Sequence, residues 1–423
     1  MQSSLPPPSR GRGRATRERS TVPRSVSAHQ EAVRSLLQAP LSAAGPAAEL
    51  PLARARGLVL ARDVTAPVSL PPFANSQMDG FAVRSADLAA GRPLPVAEPV
   101  PAGADPGPLR PGWAAPVMTG AKMPAGADAV VPVERADPPR FPDASAAAEV
   151  LLPQTAPGTY VREPGSDIAA GARALPAGTV LGPAQLGLLA ALGLTTAPVR
   201  DAPAPRVLLV ATGDEVVAPG TALPEGKIFD ANGTILHAAL AEAGVEVVDG
   251  GLVPDDPGVL RQLIREYAPS VDLVLTTGGV SMGAYEVVRQ AMADQPVDFL
   301  SVAMQPGGPQ GIGTVDGTAF LGFPGNPVSA LVSFEMFLRP ALSELRGLPQ
   351  PRPVVRARLA ERTDSPPNKH QVRRGVYAEG TVRLVGGPGS HLVSALAASN
   401  ALVHIPEGRG AVEAGEDVTA WLL

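Results

Sequence analysis

The chain has 423 residues, of which 45% are hydrophobic, 4% aromatic and 18% charged, a length that accommodates about two to four domains. A net charge of −5 and a pI near 5.7 argue against nucleic acid as the main partner, and the absence of cysteine excludes disulfides, thiolate-bound zinc, iron–sulfur clusters and thiol nucleophiles. No apolar run reaches the roughly 18 residues of a membrane span and the start lacks a signal-peptide core, so a soluble, cytoplasmic protein without a membrane partner is expected.

In chain order, Met1–Arg24 is rich in Ser, Pro and Arg and reads as a disordered arm. Ser25–Leu37 reads as the first helix, with Ser27 as cap and Val33, Leu36 and Leu37 on its apolar face. In PPFANSQMDGFAV (Pro71–Val83), Asp79-Gly80 is a hairpin-type turn signal; an Asp on a constrained loop can also hold a metal or a polar ligand. Short apolar pieces split by Gly and Pro from Ala82 to Val150 predict a small, mostly β domain whose polar loop of interest holds Thr119-Gly120 and Lys122. Asp167 follows in a glycine-flanked loop, and Pro183–Leu194 predicts a short apolar helix.

Arg206–Gly347 organises the chain. RVLLVATGDE, VDLVLTTGGVSMG and TAFLGFPGNP are apolar runs of strand length, each closed by a glycine-rich or acidic turn. Between the first two, DANGTILHAALAEAGV sets Ile235, Leu236, Ala239, Leu240 and Ala243 on one helical face. Continuous apolar strands separated by crossover helices predict a parallel sheet covered on both faces, with ligands outside the carboxyl ends of the strands. Glycines there let backbone amides cradle an anion, and Asn326-Pro327 reads as a helix start, Asn326 at N-cap and Pro327 first in the helix. The same rim carries Asp214, Glu215, Asp255, Asp256 and Glu286. Carboxylates beside anion-cradling turns point to Mg²⁺ and a phosphorylated ligand. Taken singly, each turn is ordinary strand-end chemistry, and Asp255-Asp256-Pro257 is also a plain helix start. Beyond Gly347, strand-like Val354–Leu359, Gly375–Tyr377, Ala401–Ile405 and Asp417–Leu422 predict a small barrel or sandwich.

These stretches, in this order, resemble the MoeA/gephyrin E-domain family, the molybdopterin molybdotransferases of molybdenum-cofactor synthesis. The motifs are NSQMDGFAV, VMTGAKMPAGADAVVPVE, GSDIAAGA, ATGDEV, GLVPDDP, TTGGVSMG, QPGGPQGIG, GFPGNPVSA and GSHLVSALAASNALV. The resemblance implies a multidomain α/β protein: an arm over 1–24, a discontinuous N-terminal domain over 25–70 and 151–200, and an inserted mostly-β domain over 71–150. A molybdopterin-binding doubly wound α/β domain over 201–348 and a C-terminal β-barrel over 349–423 complete it. It also implies a homodimer whose sites join both subunits, and a reaction in which adenylylated molybdopterin and molybdate are substrates, Mg²⁺ assists, and AMP leaves. The upstream molybdopterin adenylyltransferase and recipient molybdoenzymes are implied partners.

Carried over position by position, the catalytic residues fall on Asp79, Thr119, Asp167, Glu215, Asp255, Glu286, Arg374 and Ser390, with Glu215 and Asp255 on the metal. Thr212, Gly213, Asp214, Thr277, Gly278, Gly279, Ser281, Gly283, Pro306, Gly307, Pro324, Gly325, Asn326 and Pro327 are implied to bind the cofactor, Pro324 and Pro327 as the molybdate-associated proline loop. The sequence also departs from the family pattern. Glu286 stands where better-known members have Asp, and Ser301, Gln305 and Gly308 stand where well-studied members have lysines. Gly308→Lys is therefore expected to tighten molybdate use, unless Gly308 has a positive φ that lysine would strain. An enzyme and a non-catalytic relative acting as carrier or scaffold are both compatible with the motifs, as is a pyrophosphatase sharing only the α/β domain. Carboxylates at Asp79, Asp167, Glu215 and Asp255 favour the enzyme, because a scaffold has no need of them.

Overall fold

The computed structural model describes residues 22–41, 47–142, 148–200, 203–280 and 286–423. The described residues form two compact units, one within 45–201 and one from the remainder. No helix among them is long and apolar enough to cross a membrane. The expected arm lies outside the described residues as far as position 21.

The larger unit is built on a six-stranded sheet in the order Glu246–Val253, Arg206–Thr212, Leu273–Thr277, Thr318–Phe323, Pro309–Val315, Val297–Ser301. The first four strands are parallel. Side chains alternate between the faces of a strand, so Val207 and Leu209 join Leu236 and Leu240 of helix Asn232–Glu242 on one side. Leu208 and Val210 join Leu260 and Ile264 of helix Pro257–Tyr267 on the other. Each such side chain taken out of water contributes about 1.5–3 kcal/mol, which is why these runs must be apolar throughout. The sheet departs from the expected all-parallel form at Pro309–Val315, which pairs antiparallel with both neighbours. The cause is local: Asp316 and Gly317 both have positive φ, the geometry of a tight two-residue hairpin.

Helix Val26–Leu41 buries Val33, Leu37 and Leu41 in this same core, beside Phe334 and Phe337. It therefore parts from the rest of the domain expected over 25–70 and 151–200. An amphipathic helix declares its apolar face but not the surface that covers it, and here that surface belongs to the α/β unit. Its cap is Ser25, whose Oγ accepts from the Ala28 amide at 3.2 Å, and not Ser27.

The C-terminal strands form a closed barrel. His370–Ala378 pairs with Thr381–Leu384 on one side and with Ala401–Ile405 on the other, and Val354–Leu359 and Asp417–Leu422 complete the ring. Val382, Val403 and Val418 fill its interior, while Val372 and Leu402 face outward into the α/β core.

In the unit within 45–201, a three-stranded antiparallel sheet of Ala115–Val117, Gly80–Val83 and Ala129–Pro132 is buried on both faces. A separate core of Leu60, Leu181 and Leu189 unites residues near 47–65 with those near 173–200. Leu152 lies in the β core and Val161–Arg162 pairs with Asn75–Ser76. Residues 151–162 thus pack with the β pieces, beyond the boundary drawn at 150.

Candidate active site

Three turns stack at the carboxyl ends of adjacent parallel strands. The Gly278 amide donates to the Phe323 carbonyl at 3.1 Å, and Thr212 Oγ1 lies 3.4 Å from the Thr277 carbonyl oxygen. Gly278 has φ +95, and a Cβ there would stand 2.7 Å from the Thr212 carbonyl oxygen. Only glycine satisfies both conditions. Gly279, with φ +59, would bring a Cβ within 2.9 Å of Val287 Cγ1, and a Cβ on Gly325 would lie 3.3 Å from the Gly278 Cα. Asn326 occupies the N-cap position of helix Pro327–Ser333 with Pro327 first in the helix, as expected, but its side chain makes no cap bond. Ser281 and Gly283 lie outside the described residues.

The acidic edge is partly structural. Asp214 and Asp255 tie their two loops reciprocally, each carboxylate accepting the other's backbone amide, at 3.0 and 3.2 Å. Asp256 caps helix Pro257–Tyr267 through the amides of Gly258 and Val259, which removes it from the candidate ligands. Glu215 is exposed, its Oε2 2.9 Å from where a Cβ on Gly213 would stand. Glu286 sits at the N-cap of the short helix Val287–Ala291 without capping it. Among the described residues no group of three or more His, Asp or Glu side chains is placed to hold a metal ion.

From the barrel comes Arg374, 1% exposed, with Nε and Nη1 unpartnered among the described residues. Its Nη2 donates to the Gly387 carbonyl. Burial and then the neighbouring Arg373 push its pKa down, yet a guanidinium keeps its proton at neutral pH. The same loop carries Ser390, whose carbonyl accepts from the Val328 amide at 3.1 Å. That bond fastens a barrel loop to the first turn of helix Pro327–Ser333.

The QPGGP loop is held by side chains. Gln310 Nε2 donates to the Gly307 carbonyl at 2.8 Å and to Ser333 Oγ at 2.7 Å, and Gln371 Nε2 donates to Gln305 Oε1 at 2.8 Å. Gly307 has φ +94, whereas Gly308 does not have a positive φ. A Cβ on Gly308 would meet its nearest atom, the Val302 carbonyl oxygen, at 3.4 Å. The strain alternative for Gly308→Lys is thereby removed.

In the other unit, Asp79 and Thr119 come together. Asp79 Oδ1 accepts from the Thr119 amide at 2.6 Å and from its hydroxyl at 2.8 Å, and these bonds hold the carboxyl below the ordinary range. The Asp79-Gly80 step is not a hairpin: Asn75–Ser76 and Gly80–Val83 pair with different strands. Gly80 is required because a Cβ would lie 2.2 Å from the Val131 carbonyl oxygen. Asp167 is exposed in a turn whose amide donates to the Leu70 carbonyl at 3.0 Å, and it makes no described contact with Asp79 or Thr119.

Two residues were missed by the sequence reading. Lys227, one of three lysines with Lys122 and Lys369, donates to the Asp214 carbonyl at 2.5 Å. Asn232 donates to Thr277 Oγ1 and to the Gly325 carbonyl. The scarcity of lysine was a usable signal for the first; nothing in the local pattern singled out the second.

The fold and the rim together define a multidomain α/β protein whose glycine-rich sheet edge is joined to a closed barrel, and known proteins share this plan. Residues 24–193 match the MoeA N-terminal region (domain I and II), 208–344 a probable molybdopterin binding domain and 356–423 the MoeA C-terminal region (domain IV). Molybdopterin molybdenumtransferase 2 of Mycobacterium tuberculosis H37Rv is 44% identical over 418 residues, covering 95% of this chain and 100% of the relative. Molybdopterin molybdenumtransferase of Haemophilus influenzae is 34% identical over 382 residues, covering 88% and 92%. The crystal structure of the molybdopterin biosynthesis moeA protein from Pyrococcus horikoshii OT3 matches with a TM-score of 0.77 at 28% identity, over 95% of this chain and 100% of that one. The chain belongs to the MoeA family.

Proposed function

We propose that this chain is a molybdopterin molybdenumtransferase, which takes adenylylated molybdopterin and molybdate, releases AMP with the help of Mg²⁺, and inserts molybdenum into the dithiolene. One observation carries this reading. Glycine turns on adjacent parallel strands meet a barrel loop at the start of helix Pro327–Ser333, and that loop is bonded to a buried Arg374 that has no carboxylate partner among the described residues. A buried guanidinium without a counter-charge is costly unless an anion completes it. The relatives named as molybdenumtransferases support the choice of anion and substrate.

In this reading the turns at Thr212–Asp214, Thr277–Gly279 and Pro324–Pro327 receive phosphate and oxyanion through backbone amides. Arg374 balances their charge, and the Ser390 hydroxyl orients an oxygen. Glu215 and Asp255 fit Mg²⁺ as exposed hard-oxygen donors beside these turns, too few to cage an ion alone. When bound, the ion neutralises phosphate charge as AMP departs. Asp79, Thr119 and Asp167 act in a homodimer whose sites draw on both subunits.

Purified protein incubated with adenylylated molybdopterin, Mg²⁺ and molybdate should release AMP, and Asp255→Asn should weaken the Mg²⁺ dependence without unfolding the chain. A wild-type protein that releases no AMP defeats the proposal. Mixing Asp79→Asn with Asp255→Asn chains should restore some active sites; no recovery after verified subunit exchange argues for sites built within one chain.

A further inference from the structure

Asn232 opens helix Asn232–Glu242, and its neighbour Asp230 supplies the cap, Oδ1 accepting from the Gly233 amide at 2.9 Å. That leaves the Asn232 amide free of helix duty. Its Nδ2 donates to the Gly325 carbonyl at 2.6 Å and to Thr277 Oγ1 at 3.0 Å. Thr277 Oγ1 in turn donates to the Pro324 carbonyl at 3.2 Å. The orientation is unambiguous, because a carbonyl oxygen at Gly325 can only accept. Both N–H bonds of one planar group are thus spent on two different turns, and the hydroxyl between them passes its own proton to the second turn.

The link has a mechanical consequence. The Gly325 Cα region presses on Gly278 so closely that a Cβ would lie 3.3 Å from the Gly278 Cα, and the Gly278 amide is held by Phe323. Packing keeps the two turns from approaching further, and Asn232 keeps them from separating. We propose that Asn232 is the positioning residue that locks the Pro324–Pro327 turn to the Thr277–Gly279 turn, so that the two move as one body and together set the affinity for the oxyanion they hold. The affinity part rests on the function proposed above; the lock itself does not.

The test has two arms. Hydrogen exchange read by mass spectrometry on the full-length protein needs no ligand. Asn232→Ala should accelerate exchange at least about tenfold, the loss of one to two hydrogen bonds, in peptides spanning both 277–279 and 323–328. Peptides of the Arg206–Thr212 strand should be unchanged. Asn232→Asp, nearly isosteric but without the donors, should do the same and guards against a folding defect in the alanine variant. Thr277→Val should reproduce part of the effect, and the double variant should add little to the worse single one, since both act through one network. In the AMP-release assay, half-saturating molybdate for Asn232→Asp should rise about ten- to a hundredfold while its kcat at saturation stays within about threefold. Wild-type exchange in Asn232→Asp, or acceleration in only one of the two turns, overturns the lock. A lock that is present with unaltered molybdate dependence overturns its role in affinity, whereas absence of AMP release by wild type counts against the proposed function alone.

Discussion

Two glycine pairs in this molecule look alike and do different work. Gly278-Gly279 sits where three turns crowd together, and both residues combine positive φ with contacts that leave no room for a Cβ. Gly307-Gly308 sits in a loop fixed from outside by Gln310 and Gln371, and only Gly307 has positive φ. At the first pair glycine is the only residue that fits. At the second, one glycine is needed by the backbone and the other leaves room for a side chain. The difference marks where the site tolerates no change and where it can be tuned.

The comparison is broken most severely by Gly278→Ala. Strain at positive φ plus overpacking against a backbone oxygen costs about 2–5 kcal/mol, a fall in melting temperature of roughly 4–10 °C for a unit of this size. AMP release should fall at least about a hundredfold, because the turn can no longer hold its geometry. Melting scans and turnover measured together check this; a stable, active Gly278→Ala protein would show that the crowding is not real.

Next in size is Arg374→Leu, which separates charge from packing at the same site. Removing an unpaired buried cation should leave the melting temperature unchanged or higher, while AMP release falls about a hundredfold. Loss of stability in parallel with activity would mean that the arginine is a structural prop. Gly308→Lys tests the permissive side. A Cβ at Gly308 meets its neighbours at ordinary contact distance and without positive φ, so the protein should fold normally and need about tenfold less molybdate, the worth of about 1.4 kcal/mol. Normal folding with unaltered molybdate dependence would show that this loop does not set anion affinity.

An effect of small slope, spread over several pH units, contrasts the rim with two buried histidines. His29 and His404 are both buried and held neutral, their pKa values lowered from 6.5 to about 3. Burial is the main cause in each, with the charge of Arg24 adding to it at His29 and His370 at His404. The unfolded chain binds these protons first, so stability is full above about pH 6.5 and declines as pH falls toward 3, by up to about 1.4 kcal/mol per pH unit for each group. Urea midpoints between pH 7 and 5 should fall, and His29→Phe should flatten the slope. A slope unchanged in His29→Phe would remove that histidine from the account.

Much of the site was legible as chemistry without being legible as contacts. Glycine turns after apolar strands, the Asn326-Pro327 helix start and the carboxylates of the ATGDE and DDP loops follow from residue type and spacing. Asp256 shows the limit: the same residue that reads as a rim ligand is used up as a helix cap. Asp79 and Thr119 are 40 residues apart, and no periodicity links them; their bond exists because Gly80–Val83 pairs with Ala115–Val117.

By itself the sequence determined the central α/β domain, the β-rich ends and the family, since alternation, period and turn chemistry are local properties carried by each segment. It also excluded disulfides and thiolate ligands, because the chain has no cysteine. Only tertiary structure decided which surface the first helix covers, which way Pro309–Val315 runs, and that Asn232 and Ser390 bind the rim together. Those outcomes depend on bonds between residues as far apart as Asn232 and Gly325, or Val328 and Ser390. Such bonds depend on how the strands are arranged as neighbours, and a linear pattern carries no signal for them.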